Sequence, residues 1–224
     1  AHGSLVQNAD GTYSYLAAAN YFGTDRFTWR VSDGLVTSTV ATVSLTITPV
    51  DDAPVAHDGQ VSLLEDGNLT IDFAAYGSDV EGDALRALIL SNPAHGSLVQ
   101  NPAGTWTYTP SANYNGADSL RFQLSDGTLL SNPATLTITV TAVDDAPLLT
   151  GRSVTTVEDT ALALDLLSTA SDIDSTTLTP VIVTQPARGA LTRNTDGTWT
   201  YMPAANANGA DSFTYKVNDG ALDS

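Results

Sequence analysis

Pairs of aspartates followed by a proline stand at two places in the sequence. Asp51 and Asp52 lie in a VDDAP segment, and the same five letters return with Asp144 and Asp145. Clustered carboxylates repel one another unless a cation lies between them, and Ca²⁺ takes about six to eight oxygen ligands of this kind. Zinc would call for His or Cys, but the chain has no cysteine and its three histidines are scattered. The paired acids therefore predict calcium binding.

The chain of 224 residues is strongly acidic. It carries 25 Asp and Glu against 8 Lys and Arg, which gives a formal net charge of −17. Nucleic acids and anionic membranes are therefore excluded as expected partners, because their phosphates would be repelled. No apolar run reaches transmembrane length, so we predict no membrane insertion of this segment.

The sequence offers no unique set of residues for catalysis. The absence of cysteine excludes thiol catalysis and disulfides, and neither a His-based triad nor a phosphate-binding loop is present. Paired carboxylates could serve a glycosidase, but these acids lie in linkers and turns that recur every 93 residues. An active site is expected to be unique, so the sequence predicts a protein that is not an enzyme.

One unit of 93 residues recurs along the chain without insertion or deletion. The octapeptide AHGSLVQN begins at Ala1 and again at Ala94, and a looser copy, ARGALTRN, begins at Ala187. Self-similarity at a fixed period is the signature of a repeat array, and we expect both ends of the chain to be cuts within a longer one. The three predicted domains are the C-terminal half of a repeat at residues 1–49, a complete repeat at 50–143, and a repeat without its last strand at 144–224.

Apolar residues within the complete repeat alternate with a period of two, as in strands with one buried face. Leu120, Phe122 and Leu124, for example, alternate with polar neighbours. Seven strands are predicted, at 55–63, 69–73, 85–90, 97–100, 105–109, 120–124 and 136–140. Seven short antiparallel strands in about 90 residues are typical of an immunoglobulin-like sandwich. The predicted fold class is therefore all-β, without helices.

The aromatic residues fit the same sandwich. Tyr21 and Tyr114 precede the sixth strand, where the immunoglobulin fold often places a corner tyrosine. The segment Asn101–Gly104 predicts a hairpin turn. The tryptophans fall on inward strand faces and are predicted to be core residues rather than a sugar-binding platform: Trp29, Trp106 and Trp199.

Strand parity predicts how successive copies are joined. With an odd number of antiparallel strands, the chain enters a sandwich at one end and leaves it at the other. The linker VDDAPV is short, and Pro54 and Pro147 limit its freedom. We therefore expect seven-stranded sandwiches stacked end to end, with neighbouring repeats of the same chain as partners.

The same topology gathers acidic residues from distant loops at each linker. At the first linker, the predicted metal ligands are Asp25, Asp51, Asp52, Asp79, Glu81 and Asp83. At the second linker, they are Glu65, Asp66, Asp118, Asp144, Asp145, Asp172 and Asp174. No residue is predicted to be catalytic.

Some of these acids have an alternative role that needs no metal. Asp33, Asp126 and Asp219 each precede a glycine, and an Asx-turn is the favoured interpretation for them. The topology nevertheless places Asp126 at the first linker and Asp219 at the second. For Asp25 and Asp118, a turn at the entry of a strand explains the residue type as well as a ligand role does.

The motifs resemble those of a known family. VDDAP after a Thr/Val-alternating strand resembles the calcium-binding linker of cadherins, the turn at Glu65 resembles their glutamate ligand, and SDVEGD at 78–83 resembles their Asp-x-Asp ligands. The whole unit is similar to the cadherin-like repeats of large bacterial surface adhesins and RTX-type secreted proteins. The third copy departs from the pattern, since Asp174 replaces Glu81 and Thr176 replaces Asp83, and the RTX nonapeptide is absent.

The resemblance implies a non-catalytic, calcium-stiffened extracellular stalk or adhesin segment at a cell surface, in adhesion or biofilm formation. Two alternatives stay open from the sequence. One is a module that binds a cell-surface glycan or protein directly, and the other is an accessory domain of a secreted polysaccharide-degrading enzyme.

Overall fold

The computed structural model describes residues 1–224, and the regular secondary structure of the chain is almost wholly β-strand. The helical exception is a short 3-10 helix, Phe73–Tyr76. The chain divides into two compact units. The first consists of residues 1–63 and 67–140, and the second of residues 64–66 and 141–224. The all-β prediction is confirmed.

The first sequence copy forms two separate antiparallel strand pairs. Its strands are β1 (Gly3–Gln7), β2 (Tyr13–Ala17), β3 (Gly23–Trp29) and β4 (Ala41–Ile47). Strand β1 pairs with β2, and β3 pairs with β4. Trp29 stands 93 positions before Phe122, yet Trp29 is 50% exposed whereas Phe122 is fully buried. The prediction that Trp29 is a core residue is wrong, because this copy has no opposing strands to cover it.

The middle copy is a complete sandwich. Its strands are β5 (Val55–Ala56), β6 (Gly59–Leu64), β7 (Leu69–Ile71), β8 (Gly77–Ser78), β9 (Arg86–Ser91), β10 (Gly96–Gln100), β11 (Trp106–Pro110), β12 (Gly116–Ser125) and β13 (Ala134–Thr141). One sheet has the order β6-β13-β12-β9, the other has the order β10-β11-β7, and β5 pairs with β8. The two larger sheets contain the seven predicted strand positions.

The core of the middle copy follows from the period-two pattern. Phe122 and Ile138 are fully buried from one sheet, and Tyr108 is fully buried from the other. The ring of Phe73 packs between them, with its centroid 4.8 Å from that of Phe122. Burying large apolar side chains of this kind contributes roughly 1.5–3 kcal/mol each, so this copy holds its own hydrophobic core.

Two local features differ from the predicted strands. The first predicted strand divides into β5 and β6, and the second ends early, because residues Phe73–Tyr76 turn into the 3-10 helix. The side chain of Asp72 accepts a hydrogen bond from the backbone N–H of Ala74 at 3.1 Å and so caps that helix. Phe73 keeps its predicted place in the core, with 1% exposure.

The third copy repeats most of this architecture. Its strands are β14 (Leu148–Leu149), β15 (Leu162–Leu164), β16 (Ala170–Ser171), β17 (Thr179–Thr184), β18 (Gly189–Arg193), β19 (Trp199–Pro203) and β20 (Thr214–Asn218). One sheet has the order β15-β19-β18, while β17 pairs with β20 and β14 with β16. Trp106 and Trp199 are half-buried, as a position at the edge of the core requires.

The predicted hairpin turn is present in the middle copy. The N–H of Gly104 donates to the carbonyl of Asn101 at 3.0 Å, and Gly104 has a φ of 91°, which favours glycine. The Asn101 side chain also donates to the hydroxyls of Thr105 and Thr107 at 3.0 and 3.1 Å. Identical turns close the hairpins at Asn8 and Asn194.

The corner tyrosine allows a test of local stability. The Tyr114 hydroxyl donates to the carbonyl of Ala117 at 2.7 Å, and its ring stacks on His95 with centroids 4.1 Å apart. Tyr114→Phe removes only the hydrogen bond, so we expect the middle copy to lose about 1 kcal/mol or less of unfolding free energy. Urea unfolding followed by hydrogen exchange in β12 measures this loss. A loss of several kcal/mol would show that the ring position also depends on the hydroxyl.

Candidate metal centre

Glu65 lies beside the second linker. Glu65 and the linker residues Asp144 and Asp145 all belong to the second unit. The Glu65 side chain is almost fully buried, at 2% exposure. Its Oε1 accepts a hydrogen bond from the N–H of Val143 at 2.7 Å, while its own N–H donates to the carbonyl of Thr141 at 2.9 Å. Its other oxygen, Oε2, is buried and has no hydrogen-bond partner. A buried carboxylate oxygen without a donor is costly unless something else satisfies it.

The loop before β17 brings two more acids to the same linker. The N–H of Asp145 donates to Oδ2 of Asp174 at 2.9 Å. Oδ1 of Asp172 accepts from the N–H groups of Asp174 and Ser175 at 2.9 and 2.7 Å, which sets the shape of the loop. Oδ2 of Asp145 and Oδ2 of Asp172 are both buried without a partner. One oxygen of Asp172 therefore holds the loop and the other stays free.

The two carboxylate oxygens of Asp219, in the loop after β20, differ in the same way as those of Asp172. Oδ1 of Asp219 accepts from the N–H groups of Ala221 and Leu222 at 2.6 and 2.7 Å, as in an Asx-turn. Its Oδ2 is buried without a partner. The Asx-turn predicted for this residue is present, and it leaves one oxygen for a ligand role.

Desolvation, followed by the negative charges of neighbouring acids, raises the pKa values of Asp144 and Asp145 in the second linker. The pKa of Asp144 is raised by desolvation and then by the negative charges of Asp219, Asp174 and Asp172. The pKa of Asp145 is raised by desolvation and then by four neighbouring carboxylates. These four are Asp66, Asp174, Glu65 and Asp172. The two linker aspartates are therefore in an environment that disfavours their own negative charge and favours a cation.

The first linker repeats this arrangement inside the first unit. Oδ1 of Asp79 accepts from the N–H groups of Glu81, Gly82 and Asp83 at 2.9–3.0 Å, and its Oδ2 is buried without a partner. The N–H of Asp52 donates to Oε2 of Glu81 at 3.2 Å. This bond spans 29 residues, as does the bond from Asp145 to Asp174.

Asp126 completes the first linker, in the position that Asp219 has in the second. Its Oδ1 accepts from the N–H groups of Thr128 and Leu129 at 2.7 and 2.8 Å, and its Oδ2 is buried without a partner. The Thr128 hydroxyl also donates to Asp51 of the linker. Within this sequence, no counterpart of Glu65 faces the first linker.

Unsatisfied carboxylate oxygens are concentrated at the two linkers. Nine buried side-chain polar atoms in the chain have no hydrogen-bond partner, and six of them are carboxylate oxygens. All six belong to linker or loop acids: Glu65, Asp79, Asp126, Asp145, Asp172 and Asp219. No group of three or more His, Cys, Asp or Glu side chains is yet close enough to hold a metal ion. The carboxylates would have to draw together around a cation, which their mutual repulsion opposes in its absence.

Two predicted ligands have a different environment. Asp118 is 5% exposed, and all its acceptor oxygens are engaged. Oδ1 accepts from the N–H groups of Ala94 and Ser119 at 2.9 and 2.8 Å. Oδ2 accepts from the N–H of His95 and the hydroxyl of Tyr108, both at 2.9 Å. We name this arrangement around Asp118 the Asp118 clasp.

The clasp recurs in the other two copies. Asp25 accepts from the N–H groups of His2 and Arg26 at 2.6 and 2.8 Å and from the Tyr15 hydroxyl at 2.8 Å. These bonds, the one from His2 first, lower the pKa of Asp25 to about 2. Asp211 forms the same set of bonds in the third copy. Asp25 and Asp118 already have a full set of donors, so we leave them outside the proposed metal site.

The sequence interpretation assigned Asp126 and Asp219 to turns and so left them out of the ligand set. Their glycine neighbours explain the turn but say nothing of the second oxygen. The predicted topology does place both loops at the same end of the sandwich as the linker, but the Asx-turn is the interpretation that the sequence favours for them. The remaining predicted ligands with exposed side chains are Asp51, Asp52, Asp66, Asp83, Asp144 and Asp174.

Comparison with protein families accounts for the whole chain. The family described as bacterial cadherin-like domain matches residues 51–142. The family described as cadherin-like domain matches residues 1–48 and 143–224. The chain belongs to the cadherin-like domain family. Such domains are extracellular repeats and are generally non-catalytic.

Solved structures show the same fold for this cadherin-like chain. It is 16% identical to a protocadherin gamma-B7 fragment of cadherin domains 3–6, with a TM-score of 0.54. The alignment covers 100% of this chain and 63% of that one. A protocadherin gamma-B2 fragment of domains 3–6 is 17% identical, with a TM-score of 0.51 and the same coverage. At these identities the likeness shows the cadherin-like β-sandwich and nothing further.

Other comparisons carry less. An endo-fucoidan hydrolase of glycoside hydrolase family 107 is 21% identical over 100% of this chain and 36% of that one, but its TM-score of 0.37 supports no argument. The cadherin-like chain thus spans about a third to two thirds of the length of these proteins. No curated protein matches it. No helix in the structure has the length and apolar character needed to span a membrane.

Proposed function

We propose that this cadherin-like chain is a non-catalytic extracellular spacer whose linkers bind Ca²⁺ and are stiffened by it. The observation that carries the proposal is the set of six buried carboxylate oxygens without partners, all of them in linker and loop residues. Unpaired buried charges of this kind are rare in folded proteins unless a cation or a proton satisfies them.

The donor set favours calcium over other cations. Ca²⁺ accepts carboxylate oxygens from several flexible loops, whereas Mg²⁺ keeps most of its waters and Zn²⁺ prefers His or Cys. At the second linker the proposed ligands are Glu65, Asp66, Asp144, Asp145, Asp172, Asp174 and Asp219. At the first linker they are Asp51, Asp52, Asp79, Glu81, Asp83 and Asp126.

The biological role in this proposal is mechanical. A bound cation would neutralise the repelling linker acids and so restrict the bending of each linker. Neighbouring repeats of the same chain would be the main partners, and the array would project an adhesive region at a cell surface, as in adhesion or biofilm formation. This role rests on the cadherin-like family and on the linker acids.

A calcium titration with two repeat-equivalent variants tests the proposal. We expect millimolar Ca²⁺ to raise the melting temperature of the second unit and to increase the hydrodynamic radius, relative to chelator, because linkers that bend less keep the repeats extended. Micromolar Ca²⁺ is expected to have little effect, because extracellular modules typically bind calcium at about 10⁻⁴–10⁻³ M.

Glu65→Gln is expected to raise the Ca²⁺ concentration at the midpoint of this titration by roughly threefold to tenfold, since it removes one charged ligand. Glu158→Gln is the matched control, because Glu158 holds the same repeat position but is exposed. A titration without any change in melting temperature or radius would refute the calcium proposal. Equal effects of the two variants would show that general charge, rather than the linker site, governs the response.

A further inference from the structure

The middle copy contains an acceptor motif for N-linked glycosylation. The motif is Asn-x-Ser/Thr, with any residue except proline in the middle, and Asn68, Leu69 and Thr70 fit it. None of the other asparagines of the chain begins such a motif. The third copy has Ala161 and Ala163 at the corresponding positions and forms the same strand there. The asparagine and the threonine are therefore a feature of the middle copy that its fold does not require.

Both polar residues of the motif face solvent. Asn68 lies in the turn between β6 and β7, Thr70 lies in the middle of β7, and both are exposed. Leu69 between them is half-buried and packs against the core. Because side chains alternate between the two faces of a strand, the amide of Asn68 and the hydroxyl of Thr70 lie on the same outer side. An enzyme can therefore reach both groups together without opening the core.

The fold does not use the Asn68 amide. Asn132 donates its amide to the carbonyl of Ala56 at 2.9 Å and so joins two distant segments. Asn101 donates to two threonine hydroxyls of its hairpin, whereas the side chains of Asn68 and Thr70 form no hydrogen bond within the chain. A group attached to the nitrogen of Asn68 would therefore replace no existing bond of the fold.

Strand β7 is short and lies at the edge of its sheet. It has three residues and pairs only with β11, in a sheet of order β10-β11-β7. The other edge of β7 has no neighbouring strand in this complete copy, so a sugar on Asn68 meets no strand beside it. A short strand that is paired on one side also opens locally at low cost, which lets its first residues enter the cleft of an enzyme.

We propose that Asn68 is the acceptor of one N-linked oligosaccharide. Nδ2 of Asn68 would form a bond to the anomeric carbon of a lipid-pyrophosphate-linked oligosaccharide. The bond from that carbon to the pyrophosphate oxygen breaks, the lipid pyrophosphate leaves, and the amide loses one proton. Thr70 does not react, and its hydroxyl is part of the motif that the transferase recognises. The proposal rests on the extracellular role proposed above, because this sugar is added during export, and it is independent of calcium binding.

Export of the whole chain from a host cell that glycosylates Asn-x-Thr motifs tests the proposal. We expect the mass of the purified chain to increase by the mass of one host oligosaccharide, and peptide mapping to place the sugar on Asn68. Thr70→Ser keeps the hydroxyl and should keep the sugar. Asn68→Gln and Thr70→Ala should each lose it completely, and neither change disturbs the core because both side chains are exposed.

Calcium titration of the same samples separates this proposal from that of calcium binding. The glycosylated chain and the Asn68→Gln variant should both melt at a higher temperature in millimolar Ca²⁺, because the linker acids are unchanged. An unmodified natural chain, a sugar on another residue, or a sugar that survives Thr70→Ala would overturn the glycosylation proposal, whatever the calcium result. A chain that carries the sugar on Asn68 but does not respond to Ca²⁺ would support glycosylation and contradict the calcium proposal alone.

Discussion

Replacing Asp144 and Asp145 together with asparagine is expected to remove most of the calcium response of the second linker. The affinity of a site for Ca²⁺ depends on the charge of the ligands. The loss of two carboxylates should therefore raise the Ca²⁺ concentration at the binding midpoint by roughly tenfold to a hundredfold. Isothermal titration calorimetry at fixed ionic strength measures this change. The middle sandwich should stay folded, because its buried core lies in other residues.

In chelator, the same double variant is expected to raise the melting temperature of the folded chain. The pKa values of Asp144 and Asp145 are raised in the folded protein, first by desolvation and then by neighbouring carboxylates. Groups with raised pKa values favour the folded state below their unfolded pKa of about 3.8, and this contribution is lost as the pH rises through the folded pKa. Without calcium at neutral pH, the asparagine variant should therefore melt at a higher temperature than the natural chain.

Glu158→Gln with Asp159→Asn provides the matched control for the linker variant. It removes two carboxylates from the same unit, and the asparagine keeps an oxygen that can accept the existing hydrogen bond from the N–H of Asn206. This control should leave the calcium midpoint unchanged. If it weakens calcium binding as much as the linker variant, or if the linker variant unfolds the middle copy, the assignment of the site to the linker is wrong.

Asp118→Ala is expected to destabilise the middle copy by roughly 3–5 kcal/mol, because it leaves several buried donors without an acceptor. These donors are the Tyr108 hydroxyl and the N–H groups of Ala94, His95 and Ser119. Tyr108→Phe removes only one of the bonds and should cost about 1 kcal/mol. Chemical unfolding of each variant, with hydrogen exchange to identify the copy that opens, measures both losses.

The Asp118 clasp should also make stability depend on pH in the acid range. Burial by itself raises the pKa of Asp118, but the hydrogen bonds from Ala94, His95, Ser119 and Tyr108 outweigh it and the pKa is lowered. A lowered pKa stabilises the fold above the unfolded value of 3.8, and this contribution is lost as the pH falls below 3.8 through the folded pKa. Asp118→Ala should abolish that part of the acid dependence. An unchanged unfolding free energy and acid profile would show that the clasp contributes little.

The period of the sequence determined much of the fold. Alternation at Leu120, Phe122 and Leu124 predicted strand β12 and its buried face, because only one side of a strand meets the other sheet. Trp29 has the same pattern but is exposed, since burial depends on opposing strands that the first copy does not have. Residues 209–213 show the same limit, because a strand needs a partner as well as a suitable sequence.

The candidate site was predicted in part. The linker pairs and the acids at Glu65, Asp79 and Asp172 could be found because their spacing repeats and the topology places their loops at one end. Composition could not tell which oxygen of an aspartate is used by its own loop. Asp118 has both oxygens occupied by backbone and tyrosine donors, whereas Asp219 has one occupied and one free. That distinction depends on three-dimensional contacts between residues far apart in sequence.

Each of these loop aspartates uses one oxygen to fix the shape of its loop and leaves the other without a partner. The shape of the loop and its affinity for an ion therefore depend on different atoms. Oδ1 of Asp79, Asp126, Asp172 and Asp219 accepts backbone N–H groups, and an asparagine has a carbonyl oxygen for the same task. Exchange of acid for amide at these positions could therefore retune a repeat for saltier or calcium-poorer surroundings in small steps, without redesigning its loops. A series of single Asp→Asn variants should show graded calcium midpoints with unchanged amide exchange in the loops. A collapse of loop protection in any one of them would mean that shape and affinity are not separable.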